Sequence, residues 1–480
     1  MSTLTCVLHL GTSHIRAAAA WRDDLGHCQA VAVERIGAGG SVRHGCVVST
    51  DDAAARIKQL MQKLHNRLYS AAQVEASPEL RQALQRAKFD RVYVGLGGMS
   101  LRSMLHEPST QLPEGTTVTG EVQERLREES LRMSLCGYDV LEAVPAGYSL
   151  DGVPTPNPAG RSATVLTAHH RIIVAEERLR RGMTAAVEMA GFKVAGYIVE
   201  PLALTDILTP DERQRGCALL NIGAGTTTLA VYTDGHLRQL TVIPLGGDSV
   251  TQDIMTKGID SNYAELMKTQ WGNASGEDDA SAAQDSPALS TMRRIPLGEL
   301  NSVMTCRYEE ILANVAHQLE LIGCEPHQLP AGCFLTGGGA LQKGLPTLVS
   351  RRVGFSYVAT RCFSEFSHDE SEHKPYYAGL FAMLDYASDD CRQVEARPQP
   401  AAPVPPSTPS TPPTSPTPAT PAAAASEPSV ASTPATPSES SRQDRQQPKK
   451  KRRRLFGDFI GDLFSAQDDA SAQDDASTQA

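Results

Sequence analysis

Short apolar runs broken by Gly and Thr recur along the chain, and they predict strands joined by tight turns. Leu4-Thr5-Cys6-Val7-Leu8 leads through Gly11-Thr12-Ser13 into Ile15 to Trp21. The plan returns at Cys217-Ala218-Leu219-Leu220, through Gly223-Ala224-Gly225-Thr226-Thr227, into Leu229 to Tyr232. Each reads as a hydrophobic strand turning into a second strand. Two such hairpins about 200 residues apart predict two similar halves. A third Gly-rich turn, Leu335-Thr336-Gly337-Gly338-Gly339-Ala340, precedes a helical stretch. Ile57, Leu60, Met61, Leu64 and Leu68 stand at helical spacing and predict a helix over 51–68. Similar stripes predict helices over 176–191 and 303–322, and apolar runs predict strands over 89–97 and 163–174. The polar stretch 272–290 reads as a loop.

The pattern stops near residue 394. From there to about 447 the chain is Pro, Ala, Ser and Thr, a composition that buries too little apolar surface to fold. As a coil it spans roughly 40 Å. Then come Lys449, Lys450, Lys451, Arg452, Arg453 and Arg454, followed by Leu455-Phe456-Gly457-Asp458-Phe459-Ile460-Gly461-Asp462-Leu463-Phe464. At about 100° per residue, Leu455, Phe456, Phe459, Ile460, Leu463 and Phe464 share one side of a helix. A basic run feeding a short, Phe-rich amphipathic helix suits a membrane interface, and the segment is too short to span about 20 residues of bilayer. Burying six large apolar side chains gives a gross ceiling of about 9–18 kcal/mol. Ordering the segment costs about 1–2 kcal/mol per residue. The basic residues, at about 1 kcal/mol each against anionic lipid, tip the balance. One tail therefore binds reversibly, and several on a polymer bind firmly. Docking of the helix in a protein groove is the main rival. The last residues repeat Gln-Asp-Asp-Ala-Ser, an acidic tail expected to be disordered.

Composition narrows the class. The chain has 480 residues, 40% of them hydrophobic, and a net charge of −10, which allows two or three domains. The charge is uneven, so overall acidity does not exclude an anionic partner at the basic run. Lipid is favoured over nucleic acid there because the run is fused to an apolar face. Ten cysteines without a C-x-x-C argue against a zinc site and a disulfide framework. Met1 to Leu10 lacks a secretory pattern, and no run of about 18 apolar residues exists. A cytoplasmic protein is expected. His9, His169 and His170 are expected to be packed or surface histidines rather than metal ligands.

Gly-rich turns between strands wrap phosphates, because backbone N–H groups converge where no side chain intrudes. Gly11, Thr12, Ser13, Gly223, Ala224, Gly225, Thr226 and Thr227 are placed to embrace a triphosphate. Gly337, Gly338 and Gly339 are placed to let an adenosine approach. Any one such turn is an ordinary hairpin more often than a site. Three in this order, together with Gly45-Cys46-Val47-Val48, Asn157-Pro158-Ala159-Gly160, Ile243-Pro244-Leu245-Gly246-Gly247, Thr251-Gln252-Asp253-Ile254, Ala264-Glu265-Leu266-Met267-Lys268 and Pro375-Tyr376-Tyr377-Ala378-Gly379-Leu380, resemble the actin-type ATPase fold. Within it they resemble the bacterial cell-division FtsA family. The resemblance covers about residues 4–386, and the basic amphipathic tail is also a habit of that family.

The resemblance implies an α/β, two-lobed actin-like fold. Subdomain 1A would be 1–87, 173–199 and 358–390, with the inserted subdomain 1C at 88–172. Subdomain 2A would be 200–246 and 305–357, and 2B would be 247–304. A linker at 391–447, a basic amphipathic helix at 448–466 and an acidic tail at 467–480 would follow. It further implies ATP with Mg²⁺ as cofactor, adenosine contacts from Glu265 and Lys268, and binding of the C-terminal peptide of the ring protein FtsZ. Head-to-tail self-association, anionic lipid, recruitment of later division proteins and a peripheral place on the cytoplasmic face of the membrane complete the picture. Glu265 and Lys268 read equally well as an ordinary i, i+3 ion pair.

The departures are His9 and Asn221 at family Asp positions, Ala224 at a Gly position, Thr228 at a further Asp position, and Pro145-Ala146-Gly147 for Pro-Gln-Glu. Carboxylates in such sites hold Mg²⁺ through water and position the attacking water. Weak nucleotide binding or none, and slow or absent hydrolysis, are therefore expected. The alternatives are an actin-fold enzyme such as a sugar kinase or phosphatase, which would need an intact carboxylate here, and a pilus-assembly adaptor, which usually lacks the basic tail.

Overall fold

The run from Leu4 to Leu8 is buried throughout because its strand has a neighbour on each side and helices above it. The computed structural model describes residues 2–75, 77–113, 116–276, 295–363 and 374–393. The linker, basic helix and acidic tail expected from 394 onward lie outside them, as does most of the polar loop.

Thr3–Leu10 pairs antiparallel with His14–Arg22, which pairs antiparallel with Cys28–Gly37. On its other edge Thr3–Leu10 pairs parallel with Arg91–Leu96, and that strand with Lys193–Val199. The second lobe repeats this order. Cys217–Ile222, Thr227–Thr233 and His236–Ile243 form the meander, and Gly332–Thr336 and Val358–Thr360 add in parallel beyond Cys217–Ile222. The two halves expected from the hairpins are these two sheets.

Helices cover them. Thr50–Val74 starts at Ser49, whose side chain accepts from the Asp52 amide, a cap of about 1 kcal/mol. It buries Ile57, Leu60, Leu64 and Leu68, at roughly 1.5–3 kcal/mol per side chain. Leu297–Leu321 does the same in the second lobe with Met304, Tyr308, Ile311, Leu312 and Val315. The expected helix over 176–191 is Glu177–Met189.

An inserted unit follows Arg91–Leu96. Strands Arg102–His106, Ser109–Gln111, Tyr138–Leu150, Val153–Thr155 and Val165–Glu176 and the helix Gly120–Leu131 build it. It joins the second sheet through the pair Thr241 and Arg102 and through Ser103 Oγ, which accepts from the Leu240 amide at 2.8 Å. His170 is buried against Ser130, and His169 bonds Ser149 and Glu107, so both are packed histidines.

Some expected boundaries move. Arg91–Leu96 lies in the first sheet rather than in the insert, because it pairs with Thr3–Leu10. Val165–Glu176 runs unbroken past 172. Leu297–Leu321 runs unbroken across 304 and 305. Val358–Thr360 belongs to the second sheet, not the first lobe. Residues 391–393 are no linker. Cys391 is buried and donates its amide to Leu4 O at 3.0 Å, and Gln393 donates to Lys88 O at 2.7 Å.

Candidate functional site

The two glycine turns close in the same way. The Gly11 amide donates to His14 O at 3.1 Å, and the Gly223 amide to Thr226 O at 2.8 Å. His9 stands opposite Arg16, and Asn221 stands opposite Thr228, at matching registers of the two hairpins. Among the described residues the amides of Thr12, Ser13, Ala224 and Gly225 have no hydrogen-bond partner. These are the groups with which a phosphate would be held.

The turns touch each other. His44 Nδ1 donates to Gly225 O at 2.6 Å, and Thr12 Oγ1 accepts from the Gly45 amide at 3.2 Å. A Cβ on Gly225 would stand 2.6 Å from Thr12 Oγ1 and 3.1 Å from the His44 amide. Glycine is required there by close approach of the two lobes. Of the expected phosphate-binding set, the structure brings both turns to one place.

Beneath the turns lies a polar cluster that the sequence did not announce. Glu200 Oε1 accepts from Asn221 Nδ2 at 3.1 Å, and Oε2 lies 3.9 Å from His9 Nε2. A Cβ on Gly379 would strike Glu200. Burial pushes the Glu200 carboxyl up from 4.5 to about 7, against Arg16 and the Asn221 hydrogen bond. Burial, then Arg16, pushes His9 down from 6.5 to about 3, so its imidazole is neutral at ordinary pH, and Nδ1 has no partner. Glu200 follows the strand Lys193–Val199, whose parallel neighbour also ends at this cleft. Carboxyl ends of parallel strands are where α/β sites collect, which is the signal that would have found it.

Lys268 is buried. Its Nζ donates to Gly247 O at 3.0 Å, Thr251 Oγ1 at 2.8 Å and Glu265 Oε2 at 2.6 Å. The pair from the sequence is thus more than a surface ion pair: it ties helix Ser261–Gln270 to helix Gly247–Met255 beside the second turn. Asp248 donates its amide to Ala224 O, and burial pushes its carboxyl up. The glycine run 337–339 answers first to packing. Gly337 has φ +82 and would strike Asn221 Oδ1 with a Cβ, and Gly339 would strike Ile222. Only Gly338 has room, with Tyr376 Cβ 3.8 Å away.

A hydrated Mg²⁺ ion, which takes oxygen ligands, fits these residues poorly: His9 presents an imidazole and Asn221 an amide at the two matching hairpin positions, and the Glu200 carboxyl beneath them is held by Asn221 Nδ2 and pushed by burial toward its neutral form. Among the described residues no group of three His, Cys, Asp or Glu side chains is arranged to hold a metal ion.

The sequence model of the family described as "Cell division protein FtsA" matches residues 218–381. The cell division protein FtsA of Porphyromonas gingivalis is 28% identical over 344 residues, 71% of this chain and 68% of that protein. That of Escherichia coli K12 is 31% identical over 280 residues, 54% of this chain and 64% of that protein. The chain is similar to the FtsA family in both comparisons. It spans about two thirds of the length of these FtsA relatives. A solved structure titled "PilM-PilN type IV pilus biogenesis complex" aligns with TM-score 0.54 and 16% identity, over 79% of this chain and 97% of that one. At that identity the likeness speaks to the fold alone, which is the actin-like ATPase fold. No helix of the described residues is long and apolar enough to cross a membrane. Residues 449–464, the expected lipid contact, lie outside the described residues.

Proposed function

We infer that this FtsA-family chain tethers the FtsZ ring to the inner face of the cytoplasmic membrane at the division site. In this reading it holds the C-terminal peptide of FtsZ, associates head to tail with its own copies and recruits later division proteins. The observation that carries the reading is the segment 449–464, six basic residues leading into an apolar Phe-rich face, on a chain with an FtsA-type body. The leash of about 50 residues lets that segment reach lipid without fixing the body's orientation. The cleft takes an adenine nucleotide weakly, and hydrolyses it slowly or not at all, since His9 and Asn221 offer no carboxylate to position an attacking water.

Co-pelleting of the full-length protein with phosphatidylglycerol-containing vesicles tests the tether, with and without ATP and the FtsZ tail peptide. Wild type is expected in the pellet, and Phe459→Glu or deletion of 455–464 in the supernatant. Equal sedimentation of all three would sink the lipid assignment.

A further inference from the structure

A row of basic side chains crosses the first sheet beside its glycine turn. His9 pairs with Arg16 and Arg16 with Arg35 across three adjacent strands. Directly opposed residues share a face, and like charges there repel. Arg16 Nε is shielded from solvent and has no hydrogen-bond partner, which is costly for a charged group. Arg16 Nη1 lies 3.2 Å from the place of a Cβ on Gly11, so the guanidinium sits against the turn with the free amides. The Arg35 guanidinium lies 5.1 Å from the Tyr376 ring centre, beside Gly338. The carboxyl within Coulomb range of Arg16 is Glu200, already engaged by Asn221. Asp248, by the second turn, is within Coulomb range of Lys268 and His44. Arg16 thus faces a second guanidinium and one carboxyl that is itself pushed toward its neutral form.

We propose that Arg16, backed by Arg35, neutralises the phosphates of a bound nucleotide in place of a divalent cation, so that the cleft takes the nucleotide metal-free. The proposal rests on the nucleotide reading above. Neither hairpin offers a carboxylate to a hydrated cation at this register, where His9 and Asn221 stand. The first hairpin instead offers a guanidinium at the position matching Thr228 of the second. A guanidinium keeps its charge when desolvated, and its planar fork matches phosphate oxygens. The cation's electrostatic role passes to a side chain, while its role in aligning water for hydrolysis is left unfilled.

The test is ATP binding by isothermal titration calorimetry to the full-length protein, in excess magnesium and in excess EDTA. Wild-type affinity is expected to change by less than about threefold between the two, and Arg16→Gln to weaken it roughly ten- to hundred-fold in both. Arg16→Lys should retain part of the affinity. Without nucleotide, Arg16→Gln should melt no lower than wild type, because it relieves a like-charged pair; a lower melting temperature would mark Arg16 as structural and count against the idea. Binding to Arg16→Gln at wild-type strength overturns the assignment. A loss of more than about tenfold in EDTA overturns the metal-free reading and leaves nucleotide binding standing. No ATP heat in either buffer, with wild type folded, overturns both.

Discussion

Replacing Glu200 by Gln asks whether the carboxyl at the centre of the cleft is neutral. Glu200 is 6% exposed, and burial raises its pKa from 4.5 to about 7. The unfolded chain gives up this proton near 4.5, so between 4.5 and about 7 the folded protein binds more protons than the unfolded one. Stability therefore falls as pH rises through that interval, and the loss is complete above it. At about 1.4 kcal/mol per pH unit the interval is worth a ceiling of roughly 3 kcal/mol. Gln keeps the shape of the neutral acid and its acceptor for Asn221, but carries no such loss. His9 works in the other direction. Its depressed pKa of about 3 means that stability falls as pH drops from 6.5 toward 3. In the wild type the two slopes oppose each other where they overlap. Urea unfolding followed by tryptophan fluorescence, with Trp21 in the first sheet, reads the difference. Glu200→Gln should match wild type near pH 5 and exceed it by up to about 3 kcal/mol near pH 8. An equal difference between the two proteins at both pH values would refute the buried-neutral carboxyl.

Three further outcomes are expected. His44→Ala removes the hydrogen bond to Gly225 O, worth about 1 kcal/mol; hydrogen exchange of the bonded Gly11 and Gly223 amides should quicken, and unchanged exchange would show that the lobes are held elsewhere. Lys268→Met leaves Thr251, Glu265 and the Gly247 carbonyl without their shared donor; it should cost about 1–3 kcal/mol in thermal unfolding, and a neutral result would contradict its structural part. Arg361 makes two hydrogen bonds to Glu212 and lies 4.0 Å over the Phe334 ring; Arg361→Lys should lose about 1–2 kcal/mol because Lys cannot reproduce the fork, and equal stability would deny the pair its weight.

The sheets were legible because their signals are local. Leu4-Thr5-Cys6-Val7-Leu8 and Cys217-Ala218-Leu219-Leu220 are apolar runs ended by glycine turns, and a strand needs little more. The heptad-like stripe from Ile57 to Leu68 is likewise a property of neighbours in sequence. The boundaries were less legible, since Arg91–Leu96 owes its place to pairing with a strand some eighty residues away in sequence, and nothing in its own residues says which sheet it joins. The polar cluster was least legible. His9, Arg16, Glu200 and Asn221 come from four strands or strand ends, and only the sheet order makes them neighbours. Read alone, Glu200 is an acidic residue before a proline at a helix start. Glycine identity carries more than one meaning: Gly337 and Gly339 read as ligand-facing residues, and Asn221 and Ile222 behind them give each a packing reason as well.

The way the body ends has a mechanical side. Cys391 and Gln393 are stitched to Leu4 and Lys88, so tension on the chain beyond them would be delivered to the start of Thr3–Leu10. The far end of that same strand is the Gly11 turn. A load on the chain beyond Gln393 and a ligand at the turn would thus bear on opposite ends of one strand, within the first lobe.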